Sequence, residues 1–214
     1  MPEAEGIIKF NLRYTVSPPL PSAAVREIGY WRQKLVAVKL IGQDPDRYGG
    51  YGFGNLSCRL PPYDTSPHLR AFLITGTQTG RKAELTKSDY AVVRGYSAEE
   101  NLIIAEGPAK PSSESLTHGV VYALDSSLRW VFHVHSPELW RAAARLGIPV
   151  TRPDVAYGTP AMAEEVQRLF AESTVRTQLV FAMGGHEDGL VAFGEIAQEA
   201  ADVLIGLMER VGAS

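Results

Sequence analysis

One cysteine, Cys58, stands among 214 residues, which excludes an intrachain disulfide and any zinc site built on cysteines. No uninterrupted apolar run approaches the roughly 20 residues that a membrane-spanning helix needs. The amino terminus, M-P-E-A-E-G-I-I-K-F, lacks the basic stretch and apolar core of a secretory leader. An excess of one charge is missing too: 21 Lys and Arg face 24 Asp and Glu, and a net charge of -3 argues against a nucleic-acid binder. Neither G-x-x-x-x-G-K nor G-x-G-x-x-G occurs, so nucleotide binding has no support. Repeats and low-complexity tracts are absent. A single cytoplasmic domain is expected over 1–214, with an ordinary 45% apolar and 21% charged composition.

The residues that are present mix helical and strand patterns. Residues 1–21 read as an irregular arm, with Pro18, Pro19 and Pro21 as breakers. Ser22 is a cap for a helix to about residue 40, stopped by Gly42. Four glycines between Gly49 and Gly54 mark a loop with unusual backbone angles. Strands are expected at 56–60, 70–75, 91–94, 101–105, 130–135, 179–183 and 190–193, with a helical turn at 85–90. Helices are expected at 111–124, 137–146, 160–170 and 195–211, the third capped by Thr159. Several neighbouring strands lack an intervening helix long enough for a crossover, which favours a mixed or antiparallel sheet with helices on its faces.

The chemistry-bearing residues concentrate in the run P-S-S-E-S-L-T-H-G-V-V-Y-A-L-D-S-S-L-R-W-V-F-H-V-H-S-P, residues 111–137. His133 and His135 are two apart on a strand, so both imidazoles project from one face with Cα atoms roughly 6–7 Å apart. That spacing lets two nitrogens reach one ion about 2.0–2.1 Å from each. The pair alone fits equally well two structural histidines satisfied by neighbours. His186, in G-G-H-E-D-G after an apolar strand, is a candidate third ligand, although its position alone also fits a solvated loop histidine. His118 shares a helix face with Glu114 and is a candidate supporting residue, while His68 reads as a surface loop residue.

Glu114 can serve as a fourth metal ligand, as a general base, or as both in turn. The helix dipole alone would equally favour a glutamate there. Ser112-Ser113, Gly54-Asn55 and Thr79-Gly80 are loop pairs able to offer N–H groups and small hydroxyls to an anion, a role that ordinary turn chemistry mimics.

Taken together these residues resemble the class II aldolase/adducin family, from about Gly54 to Met208. The resemblance rests on G-N-L-S at 54–57, I-T-G-T-Q-T-G at 74–80, P-S-S-E at 111–114, H-V-H at 133–135, Y-G-T at 157–159 and H-E-D-G-L-V at 186–191. It implies an α/β/α sandwich around a mixed, mostly antiparallel sheet, commonly in a homotetramer with active sites at subunit contacts. It implies His133, His135 and His186 as zinc ligands, another divalent metal being an alternative, and Glu114 as the acid/base that also touches the metal. Gly54, Asn55, Thr79, Gly80, Ser112 and Ser113 match the family's phosphate-binding positions, with Thr77 as an alternative to Thr79.

The implied activity is that of a zinc-dependent aldolase-type lyase acting on a small hydroxy-carbonyl compound, a sugar phosphate among the candidates, through a metal-held enediolate. The alternatives are a dehydratase, decarboxylase or epimerase on the same scaffold, or a non-catalytic adducin-like interaction module. Two features depart from the family pattern. Glu187 and Asp188 intervene where His-Gly is usual, and residues 147–156 contain no tyrosine to act as second proton donor.

Overall fold

The computed structural model describes residues 6–212. In chain order these form β1 (Asn11–Val16), α1 (Ser22–Ala37), β2 (Gly42–Gln43), β3 (Gly52–Phe53), β4 (Asn55–Arg59), β5 (Phe72–Thr75), β6 (Tyr90–Ser97) and β7 (Leu102–Gly107). There follow α2 (Ser115–Leu124), β8 (Trp130–His135), α3 (Pro137–Arg141), α4 (Ala143–Leu146), α5 (Pro160–Glu172), α6 (Val175–Gln178), β9 (Val180–Ala182), β10 (Gly189–Gly194) and α7 (Ala197–Gly212).

The main sheet has eight strands in the order β1-β7-β6-β5-β4-β8-β10-β9. Among the described residues only β1 and β7 pair in parallel in this sheet, and its other neighbouring pairs are antiparallel. The short link between β6 and β7, residues 98–101, allows only antiparallel pairing, and no α-helix intervenes between β4 and β5 to make a crossover. Helices cover both faces. Val131 joins Leu116 and Val121 of α2 and Val166 of α5 in one core, whereas Phe132 and Val134 join Ile28 of α1 and Leu204 of α7 in the other. Strand side chains alternate, so His133 and His135 project from the same face as Val131, toward α2. Every residue of β8 is buried, as befits a central strand covered on both sides.

The expected irregular arm is corrected: residues 11–16 form β1, whose partners run from Leu102 to Gly107. The first five residues of that arm lie outside the described ones. Leu12 and Tyr14 alternate onto the core while the intervening residues face out, and a half-covered edge strand gives a weak local signal beside three prolines. The end of α1 is corrected too. The helix stops at Ala37 because Lys39 takes a left-handed φ of 60°. Its N–H bonds to the Val36 carbonyl, and the Leu40 N–H to that of Leu35, a Schellman closure built without glycine. Ser22 opens α1 but its side chain caps nothing. Thr159 does cap α5, accepting from the Met162 N–H at 3.3 Å.

Candidate metal centre and anion pocket

The β4–β8 register sets Asn55 opposite His133, and the β8–β10 register sets His135 opposite Gly189. The loop before Gly189 therefore returns His186 to the end of β8. One ring nitrogen from each of His133, His135 and His186 lies within 4.8 Å of the other two, and all three residues are buried. Glu114 stands at the N-cap of α2 rather than within its first turn, and it is 1% exposed. Its Oε1 is 3.9 Å from His186 Nε2, while Oε2 accepts from Thr117 Oγ1 at 2.9 Å.

Burial holds the imidazoles neutral at ordinary pH. It lowers His133 to about 3 and holds His135 and His186 well below the usual histidine range, with neighbouring positive charge adding to the effect. Neutral imidazoles keep a lone pair to donate. His133 Nε2 is buried with no hydrogen-bond partner among the described residues, which a metal bond would relieve. Three such nitrogens form a donor set suited to a divalent ion with a fourth position left open for a substrate, and the Glu114 carboxylate stands beside that position.

The two residues that interrupt the usual His-Gly pattern form a turn closed by the Gly189 N–H on the His186 carbonyl, at 3.0 Å. Asp188 takes a φ of 63° there and its carboxylate is buried. Oδ2 accepts from Arg47 Nη2 at 2.9 Å and from the Tyr48 hydroxyl at 2.7 Å. The Tyr48 ring in turn meets the His135 ring edge-on, with centroids 4.8 Å apart. The inserted Asp188 thus ties the glycine-rich loop to the histidine cluster.

Gly54, Asn55, Thr79, Gly80, Ser112 and Ser113 come together around one small pocket, joined by Thr77 and Gly6. Gly54 has a φ of 77°, and a Cβ there would stand 2.7 Å from Ile41 Cγ1, so only glycine fits. Thr79 Oγ1 is spent on the Gly76 carbonyl at 2.9 Å, whereas Thr77 Oγ1 bonds the Gly6 carbonyl at 3.2 Å. A larger open cleft of about 770 Å³, lined by Lys39, Arg47, Arg81 and Lys82 among others, contains none of the three histidines.

His118 stays apart from the ligand cluster. Its Nδ1 lies 2.7 Å from Ser57 Oγ, which also meets the Tyr122 hydroxyl at 2.7 Å, so the group ties α2 to β4. His68 sits in a surface 3-10 turn. Several neighbours of the site had no sequence signal. Arg32 of α1, only 2% exposed, donates to the carbonyls of Thr79 (2.9 Å), Lys82 (2.7 Å) and Ala83 (3.1 Å), fixing the loop that borders the pocket. Arg47, Tyr48 and Lys9 likewise reach the site only through the fold. Among the described residues no helix is long and apolar enough to cross a membrane.

The model of the Class II Aldolase and Adducin N-terminal domain matches residues 45–211. The chain belongs to that family. Among solved structures it is similar to YgbL from Klebsiella pneumoniae, whose description leaves aldolase, epimerase and decarboxylase open, with 20% identity, 89% of this chain and 87% of that one covered, and a TM-score of 0.63. An L-fuculose 1-phosphate aldolase shares 19% identity over 90% of this chain and 84% of its own, with a TM-score of 0.63. A sugar-phosphate aldolase from Thermotoga maritima shares 19% over 89% and 93%, with a TM-score of 0.62. Likeness at this level of identity speaks for the fold, the α/β/α arrangement around a mainly antiparallel sheet. No curated protein sequence matches the chain significantly.

Proposed function

We propose that the protein is a zinc-dependent lyase of the aldolase type, acting on a small phosphorylated hydroxy-carbonyl compound. The observation that carries this reading is the meeting of His133, His135 and His186 nitrogens within 4.8 Å, with the Glu114 carboxylate 3.9 Å from His186. The three histidines would hold the ion and Glu114 would stand beside it. When bound, zinc supplies a Lewis acid that draws electron density from the substrate carbonyl, worth several kcal/mol of charge stabilisation.

The chain's own residues account for the remaining steps. Thr117 fixes Glu114 Oε2, which leaves Oε1 facing the histidines to take a proton from the carbon or hydroxyl beside the carbonyl and to return it later. The N–H groups around Asn55, Thr79, Ser112 and Ser113, with the serine hydroxyls, suit the phosphate at the other end of the substrate. Asn55 joins this pocket to the histidine cluster, its side chain 3.0 Å from His133 Nδ1, so a ligand held here has its other end toward the histidines and Glu114.

A second reading is favoured by one feature. Residues 147–156 carry no tyrosine, and Tyr157, 0% exposed, has its hydroxyl engaged by the Ile7 N–H at 3.2 Å. Epimerisation, dehydration or decarboxylation at the same site would then replace retro-aldol cleavage as the net reaction. An adducin-like interaction module would need no metal at all.

Elemental analysis of the purified protein tests the shared core of these readings. About one zinc per chain is expected, lost in His133→Ala and His135→Ala. Metal-free wild-type protein, or full zinc in both variants, would overturn the proposal. Product analysis with a panel of phosphorylated hydroxy-ketones then separates cleavage from the alternatives.

A further inference from the structure

The segment that precedes β1 lies across both halves of the site. The Gly6 carbonyl accepts from Thr77 Oγ1, and Gly6 lines the anion pocket. One residue on, the Ile7 N–H donates to the Tyr157 hydroxyl. The Lys9 ammonium then stands 3.5 Å from the centroid of the Tyr157 ring. That ring lies 4.5 Å from the His186 ring, centroid to centroid. Gly158, next in the chain, abuts the pocket-lining Ser113, where a Cβ would stand 2.8 Å from its carbonyl oxygen. Tyr157 thus bridges the Ser113 wall of the anion pocket and the histidine cluster, and Lys9 sits on that bridge.

The pocket itself is electrically neutral. Its lining side chains are those of Asn55, Gln78, the two threonines and the two serines, with glycine backbone between them and no lysine or arginine. Neutral donors can solvate a phosphate dianion but do not offset its charge, which in a partly buried site is costly. Lys9, half-buried over Tyr157 and three residues from the pocket-lining Gly6, has a four-carbon stem that lets the ammonium swing from the aromatic face toward a ligand oxygen. The family match begins only at residue 45, so this cation comes from a part of the chain outside the matched region.

We propose that residues 6–9 form a strap built into the substrate site, and that Lys9 supplies the positive charge that binds the anionic group of the substrate. The proposal rests on the reading of the site as one for a small phosphorylated hydroxy-carbonyl compound. It gives a substrate-binding role to a residue far in sequence from every motif, and it makes phosphorylated compounds the preferred class.

Calorimetric titration of the zinc-loaded full-length protein tests this with inorganic phosphate, dihydroxyacetone phosphate and dihydroxyacetone as probes. Lys9→Met is expected to weaken both anions by roughly tenfold to a hundredfold, the range for one lost hydrogen bond to a charged group. Dihydroxyacetone affinity and zinc content should stay as in the wild type. Lys9→Arg should keep most of the anion affinity. Equal anion binding by wild type and Lys9→Met overturns the proposal, and so does a wild type that binds neither anion. Loss of zinc or of folding in Lys9→Met together with equal loss in Lys9→Arg would make the residue structural, and would overturn it as well. Zinc content in the His133 and His135 variants is scored separately, so failure of the strap leaves the metal reading standing.

Discussion

Asn55 and His133 face each other across the β4–β8 register, with the Asn55 side-chain nitrogen position 3.0 Å from His133 Nδ1. The pairing bears directly on ligation. For His133 Nε2 to offer its lone pair, the ring proton must sit on Nδ1, and that N–H needs an acceptor. The Asn55 amide oxygen, which otherwise has no partner among the described residues, becomes that acceptor when the amide rotates by half a turn. Asn55→Ala is therefore expected to lower zinc affinity by about 10–100-fold. Competition with a chelator of known affinity measures this, and unchanged affinity would remove Asn55 from the metal's support.

Glu114→Gln keeps the side chain's shape and its contact with Thr117 while removing the base. Proton exchange at the carbon beside the carbonyl, followed by NMR in deuterated water with dihydroxyacetone phosphate, should fall by about 10²–10⁴-fold. Zinc should remain, since three histidines suffice to hold it. Exchange at the wild-type rate would move the base elsewhere.

Arg32→Met tests the footing of the anion pocket. The substitution strips one guanidinium from three carbonyls of the 79–83 loop and leaves the buried Thr79 acceptor unsatisfied, while those of Lys82 and Ala83 are partly open to water. A loss of about 2–3 kcal/mol in urea unfolding is expected. Arg32→Lys should recover only part of it, because an ammonium cannot span the three acceptors as the planar fork does.

Asp188→Ala removes the acceptor shared by Arg47 and Tyr48. Arg47 is 29% exposed, so water replaces part of the lost contact and the expected destabilisation is roughly 1–2 kcal/mol. The Tyr48 ring would also lose its seat against His135, and slower zinc release in the wild type than in the variant is the corresponding kinetic signature. Identical release rates would confine Asp188 to a structural role.

Acid stability should depend on Glu165. Hydrogen bonds from Arg168, and then from the Arg152 N–H, outweigh the effect of burial and bring its pKa from 4.5 down to about 2. A lowered carboxylate pKa stabilises the fold fully above the unfolded value of 4.5. That contribution shrinks as pH falls from 4.5 toward 2 and is gone below. The stability difference between wild type and Glu165→Gln should accordingly be larger at pH 7 than at pH 2.5, and a pH-independent difference would contradict the assignment.

Much of the framework was legible locally. β8 spans the same six residues that the alternation at 130–135 predicts, and Thr159 and Pro160 mark the start of α5. The two-residue spacing of His133 and His135 was enough to put both on one face, because strand periodicity is a property of the backbone alone. The six loop residues named for an anion did converge on one pocket. Elsewhere the local signals misled. Lys39 adopts a left-handed conformation that a sequence reader assigns to glycine, and β1 is held by β7, some ninety residues away.

By itself, then, the sequence determined which groups could do chemistry and how they repeat along each strand or helix. It also determined that no intrachain disulfide and no cysteine-built zinc site can form. Only the tertiary structure decided which groups meet. Strand pairing brings residue 186 to residue 133 and places residue 9 over residue 157. It buries Arg32 beneath the anion loop and turns Asp188 toward Tyr48. Those encounters are fixed by register and packing between distant segments, which carry no periodic trace in the local chain. So the triad of histidines with Glu114 could be anticipated as a list, whereas the strap across it could be found only in three dimensions.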